Sequence, residues 1–158
     1  MDSFILQQVL LVMHLSGLVL MAGTTVSEFV AFRWFVSLLK SQDKASVGLF
    51  RLLSRLGPIL LAGGVLLVIS GVGLMILTEG VYLQQFWLQV KLILILLLPL
   101  NGLLVGNPQM KWLRNNLFAE GSGLSLPIQP TLTKLTWFHT VQLLVFLAII
   151  ILAVFKFT

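Results

Sequence analysis

Hydrophobic residues run along this chain in long blocks, and charge is confined to the gaps between them. Ser3 to Ser27 carries no Asp, Glu, Lys or Arg, and Leu56 to Thr78 is equally free of charge. Gly80 to Val90 and Leu92 to Met110 flank one charge, Lys91, and Leu135 to Phe155 is uncharged apart from its histidine. A membrane-crossing helix needs about 20 mostly apolar residues, and these blocks make four such regions. None alternates polar and apolar positions at period two, so a membrane barrel is not expected. The pattern predicts an all-α integral membrane four-helix bundle forming one transmembrane domain over 1–158, with helices near 4–36, 53–78, 84–106 and 134–156.

The first block does not read as a cleaved signal peptide. It opens on Asp2 rather than a positive region, its apolar run is too long, and no small-x-small site closes it. It is expected to stay as a helix and to continue to about Leu39, because Glu28, Arg33 and Lys40 keep helical spacing without a breaker. Charge in the loops sets the orientation. The first loop holds Arg33, Lys40, Lys44, Arg51 and Arg55 against Asp43, and the second, near Thr78 to Gln85, holds Glu79 and no basic residue. The third, after Gly106, holds Lys111, Arg114 and Lys134 against Glu120. Loops one and three are therefore expected in the cytoplasm and both termini outside, with only the terminal Lys156 opposed. Lys111 to Phe118 suits a short helix at the membrane surface, and Gly121 to Pro130 (GSGLSLPIQP) reads as irregular chain. Trp34, Trp87, Trp112 and Trp137 fit interfacial anchoring.

Composition agrees and narrows the chemistry. Apolar residues are 58% of the chain and charged residues 9%, against about 25% charged in a soluble domain. Such a surface must face lipid. The absence of cysteine removes disulfides, thiolate metal sites and cysteine nucleophiles. The net charge of +5 reports topology, or contact with anionic headgroups, rather than a nucleic-acid partner. There is no Walker loop, HExxH or GxSxG.

Chemistry must then come from the few polar groups at membrane depth, which are costly in lipid. His14 lies roughly 8 Å below the outer border of the first helix. It forms one stripe with Met21 and Glu28, flanked by Gly17, Leu18, Thr24 and Thr25, of the kind that faces neighbouring helices. Lys91 lies one turn below Trp87, at a depth of roughly 6 Å. Its long stem can return the ammonium to the interface, or Lys91 can share a layer with His14 and make one outer-leaflet site. His139 lies one turn into the fourth helix, level with Glu28 and Asn101, with Thr136 and Gln142 on its face. This secondary polar cluster suits interfacial hydrogen bonds, a proton relay, a quinone site or a headgroup contact. The two histidine layers are expected to differ by roughly 10–15 Å along the membrane normal, so His14 and His139 of one chain should not share a haem iron. Small residues at Gly23, Ser27 and Ala31, and glycines at 63, 64, 71 and 73, allow close helix approach within a subunit or across a homodimer.

The segment from His14, HLSGLVLMAGTTVSEFVAF, together with FWLQVKLILILLL, which carries Trp87, Lys91 and Leu92 as W-x-x-x-K-L, resembles a group of small bacterial membrane proteins. The group includes CopD-like copper-resistance proteins, HemJ protoporphyrinogen oxidases and related families of unknown function. Where HemJ-like chains carry an Arg-Leu-Phe-Val-Tyr-His-type stretch, this chain reads EFVAFRWFVSLLK, which brings it nearer to the uncharacterised relatives. The resemblance implies a bacterial inner-membrane protein with haem b bound at His14 as metal ligand. Lys91 would be its partner or a contact to a substrate such as a tetrapyrrole or quinone. A haem-dependent oxidoreductase of the protoporphyrinogen oxidase type follows from the same resemblance. The alternatives are a small-molecule or metal transporter component, for which Met13, Met21 and Met75 are unclustered soft ligands, and a non-catalytic membrane assembly subunit.

Overall fold

In hydrocarbon the backbone has no water to bond, so a chain this apolar must satisfy its N–H and C=O groups within helices. The computed structural model describes residues 3–117 and 128–155, the side chains of Tyr82 and Leu117 excepted. Five α-helices run in order: α1 (Ser3–Lys40), α2 (Ala45–Leu77), α3 (Phe86–Asn101), α4 (Asn107–Leu117) and α5 (Gln129–Phe155). A 3-10 turn at Val81–Gln84 precedes α3, and a π-helical segment at Gly102–Gly106 joins α3 to α4. Four helical rods are long and apolar enough to cross a membrane, the third running unbroken from Phe86 to Asn116. No strand occurs among the described residues.

The rods are longer than the apolar blocks. α1 has 38 residues, or about 57 Å at 1.5 Å per residue, against a hydrocarbon core of about 30 Å. α2 begins at Ala45 rather than 53, α5 at Gln129 rather than 134, and α3 at Phe86 rather than 84. Helical hydrogen bonding does not stop at the bilayer edge, and the charges at Arg33, Arg51, Arg55 and Lys134 sit on exposed faces that leave the backbone pattern intact. A short helix is present at the expected place as α4, from Asn107 rather than Lys111, and it continues α3 through the π turn instead of standing apart. Phe118, Glu120, Lys156 and most of the stretch from Gly121 to Pro130 lie outside the described residues.

α1 and α2 form an antiparallel hairpin with the most extensive pairing in the molecule. Its turn places Gln42 at φ 56, and the Asp43 carboxylate accepts the Ala45 N–H at 2.9 Å. α5 packs between α1 and α3, and α2 makes no close backbone approach to α3 or α5. Two cores result. One gathers Phe32, Phe35, Phe50, Leu53, Leu113, Leu132 and Leu135 at the basic end, where Phe35, Leu113 and Leu135 are 0% exposed. The other joins Leu98, Phe146 and Ile149 to Leu18, Met21 and Ala22 within the span. Elsewhere the rods turn apolar side chains outward, as at Val19, Leu61, Ile76 and Leu104, which is the surface a lipid contact requires.

Two expectations need correction. Trp87 is buried, and its indole N–H donates to the Gln85 side-chain oxygen, so it packs in the protein; Trp34 and Trp137 are exposed and fit the anchoring role. Of the two places offered for the run Gly23, Ser27, Ala31, within a subunit or across a homodimer, the first is not where it lies: it does not form the tight α1–α2 crossing. A Cβ on Gly23 would meet nothing within 4 Å, and Ser27 and Ala31 line an open groove with Val26, Val30, Trp34 and Leu49.

Close packing sits instead at Gly17 and Gly63. A Cβ on Gly17 would lie 2.9 Å from the Gly63 carbonyl oxygen, a backbone atom that cannot swing aside. Gly17→Ala is therefore expected to destabilise the protein by about 1–3 kcal/mol, while Gly23→Ala stays within about 0.5 kcal/mol. Thermal unfolding in mild detergent reads both, and a reversed ranking would contradict the crossing. In the basic-end core, Leu113→Ala should cost about 2–5 kcal/mol and speed tryptic cleavage at Lys111 and Arg114; Leu104→Ala, on the outer surface, should do neither.

Candidate functional site

The Gly17–Gly63 crossing fixes what can stand one turn away on α1. There the chain carries a wide imidazole, His14, and α2 accommodates it by offering Gly71, whose Cβ would lie 3.4 Å from His14 Cε1. Leu10 fills the next notch, over Gly73. Gly63, Gly64, Gly71 and Gly73 of α2 thus lie against α1, while Gly48 and Gly57 have open space beside them.

Beside Gly71, Ser70 is 0% exposed. Its Oγ lies 2.6 Å from the Leu66 carbonyl oxygen and 3.0 Å from His14 Nδ1. A hydroxyl has one proton to give, and a carbonyl can only accept, so the short contact to Leu66 uses it. Ser70 Oγ then accepts the Nδ1–H of His14. That bond sets the imidazole tautomer and leaves the Nε2 lone pair for another partner, the arrangement by which second-shell groups orient ligating histidines. Lys91 on α3 is close enough for its charge to act on His14, and both residues are half-buried. The structure brings His14 of α1 together with Ser70 and Gly71 of α2, while Lys91 stands on α3, which makes no close backbone approach to α1 or α2. The His14–Ser70 pair offers a nitrogen acceptor that can bind a metal or a donor, and Lys91 a half-buried cation that can bind an anionic group.

The other predicted polar residues lie far from it. His139 stacks on Phe32 at 4.7 Å between ring centroids and against Phe138 at 4.9 Å. From residue 14 to residue 32 of α1 is 18 residues, or about 27 Å along the helix. This exceeds the 10–15 Å expected from the apolar blocks, because His139 meets Phe32, one turn beyond Glu28, beside the basic-end core. Asn101 Nδ2 donates to Gln142 Oε1 at 3.4 Å. Glu28 is buried on the α1 stripe with Thr24 and Thr25, and no hydrogen bond joins Glu28, Asn101 and His139 to one another among the described residues.

Ser70 is the residue that sequence reasoning missed. A single serine costs little in an apolar helix, since its hydroxyl bonds the preceding turn, so it leaves no mark in a hydropathy profile. Only its pairing with His14 across the hairpin gives it a role. No group of three or more His, Cys, Asp or Glu side chains that could hold a metal ion is found among the described residues, so a metal at His14 would need ligands that it brings with it.

Comparison with curated proteins and with solved structures finds no match. A family model described as "Predicted membrane protein (DUF2214)" matches residues 6–156, nearly the whole chain, and the chain belongs to that family.

Proposed function

We propose that this integral membrane protein holds haem b, or a related tetrapyrrole, at His14 and Lys91 and acts in a redox-linked role at the outer leaflet. The observation that carries the reading is the Ser70 hydrogen bond, which presents His14 Nε2 as an acceptor at membrane depth. A haem brings its own four nitrogen ligands, which suits a site with one protein imidazole and no cluster of further ligands. His14 would hold the iron and Lys91 a propionate. Because α1 and α2 touch around His14, the group would approach from the α3 side, or across a homodimer contact. Bound there, haem would supply one-electron chemistry; this chain's residues orient it, balance its charge and keep water away. A quinone, with two carbonyl oxygens, is a less complete fit, because it matches Lys91 but not the acceptor at Nε2.

Copper transport draws less support. Met21, one of three methionines considered as soft ligands, packs over Gly64 as a core filler. An assembly subunit without chemistry is favoured by one specific feature, the open groove beside Ser27 and Ala31, and would leave His14 as a packing residue.

The visible spectrum of the detergent-purified protein, before and after dithionite and after added haem, tests the reading. A Soret band that shifts on reduction and is lost in His14→Ala is expected. Ser70→Ala should keep the band but weaken haem affinity by about 10–100-fold, and Lys91→Gln should weaken it without changing the band position. A preparation that stays colourless after haem is added, or a spectrum unchanged in His14→Ala, removes the assignment.

A further inference from the structure

A second polar layer lies on α1 between the His14 site and the basic end. From residue 14 to residue 28 is 14 residues, or about 21 Å of helix, so this layer stands apart from the His14 site. α5 runs antiparallel to α1: His139 meets Phe32, and Phe146 and Ile149 meet the region of Leu18, Met21 and Ala22. Gln142, about one turn along α5 from His139, therefore comes level with Glu28. All are buried: Thr25 is 3% exposed, Gln142 4%, His139 6% and Glu28 9%. α3 adds Asn101, bonded to Gln142, at the point where its own helix departs from α geometry. Pro99 removes one N–H there, and the π turn begins at Gly102. Irregular helix at membrane depth persists where protein surrounds it, and π turns recur at functional sites.

The layer is rich in polar atoms and poor in partners. Thr25 Oγ1 and His139 Nε2 are buried with no hydrogen bond, and Glu28 has no hydrogen bond or ion pair among the described residues. Cations on the surrounding elements turn outward: Arg33 on α1, Arg51 and Arg55 on α2, Lys111 and Arg114 on α4 and Lys134 on α5 are exposed. Arg33 rests on the Phe29 ring, and Lys91 belongs to the His14 level. His139 is the one other titratable side chain buried in this layer. A carboxylate without a counter-charge is costly in such surroundings, whereas the neutral acid needs only one acceptor for its O–H, and the nearest polar groups by helix register are the Thr25 hydroxyl, one turn before it on α1, and the Gln142 side chain at its level on α5.

We propose that Glu28, set among Thr25, Gln142 and Asn101 with His139 one turn nearer the basic end, is a proton-binding site within the membrane. The carboxylate takes up one proton to become the neutral acid and releases it again, and His139 passes that proton between Glu28 and the basic end. The oxygens around Glu28 could instead favour a bound monovalent cation, and the test separates the two.

The chain has three glutamates, Glu28, Glu79 and Glu120. In the variant Glu79→Gln/Glu120→Gln, carrying carboxyl-labelled glutamate and reconstituted in phosphatidylcholine vesicles, Glu28 is the sole labelled carboxyl and is itself untouched. Infrared spectroscopy across a pH series is expected to show a protonated-carboxyl band that shifts in D2O and converts reversibly to carboxylate. It should titrate separately from the exposed Glu79 read in the complementary Glu28→Gln/Glu120→Gln variant. His139→Phe, which keeps a ring against Phe32, should leave the band and slow its exchange by about 10²-fold. A Glu28 carboxyl that titrates together with Glu79, or a carboxylate signal that responds to sodium and not to pH, overturns the site. An exchange rate unchanged in His139→Phe overturns the relay through histidine.

Discussion

The backbone contact between α1 and α2 at Gly17 and Gly63 governs the rest of the structure. Lipid tails are as apolar as the side chains they would replace, so helices in a membrane gain little from hydrophobic burial and associate through close packing instead. Here the closest packing is glycine on glycine, with a backbone oxygen where a Cβ would have to go. That distance decides what fits on either side. His14 and Leu10 are admitted only where α2 thins again, at Gly71 and Gly73. Towards the basic end Phe35 meets Phe50 across a wider gap, at 5.6 Å between ring centroids. One crossing thereby creates both a narrow polar notch and a broad aromatic core.

The larger core and the polar layers consequently lie in different parts of the molecule. The larger buried core sits at the basic end, where α1, α2, α4 and α5 meet, and the exposed Arg and Lys side chains gather on the elements around it. Within the span the cores are thin, and the side chains face lipid. Buried polar residues must be satisfied inside the protein, and the structure does so unevenly: His14 is oriented through Ser70, while Thr25 and His139 keep unpartnered atoms.

The apolar blocks made the four spanning helices and the all-α class legible, because hydropathy reports the solvent directly. Their ends were not legible. Ala45 to Arg55 has too much charge to look like span, yet it is helix, since the exposed face of a rod that leaves the bilayer is free to be polar. The stripe of His14, Met21 and Glu28 with Gly17, Leu18, Thr24 and Thr25 was readable from helical spacing; Gly17, Thr24, Thr25 and Glu28 are buried, and His14, Leu18 and Met21 half-buried. Depth was readable only approximately: counting from assumed borders put the histidines closer together than the helix register does, because which α1 residue His139 meets, Phe32, is a matter of packing and not of hydropathy. Gly23, Ser27 and Ala31 match a packing motif as well as Gly17 does, and nothing in spacing alone says which face meets α2.

The two polar layers also differ in how their chemistry can be set. At His14 the decisive partner is a hydroxyl whose only proton is committed to Leu66, so the imidazole has one donor and one acceptor nitrogen with fixed roles. A fixed acceptor suits a ligand that stays. At Glu28 the neighbours are a hydroxyl and an amide that can each donate or accept, and no nearby charge selects between them. Adaptable neighbours suit a group whose charge changes, because either protonation state can find a partner without moving a helix. The π turn after α3 serves the same end. It brings Asn101 to Gln142 at a point where the backbone already departs from regular α geometry, so a small shift there disturbs fewer bonds than it would in an unbroken helix.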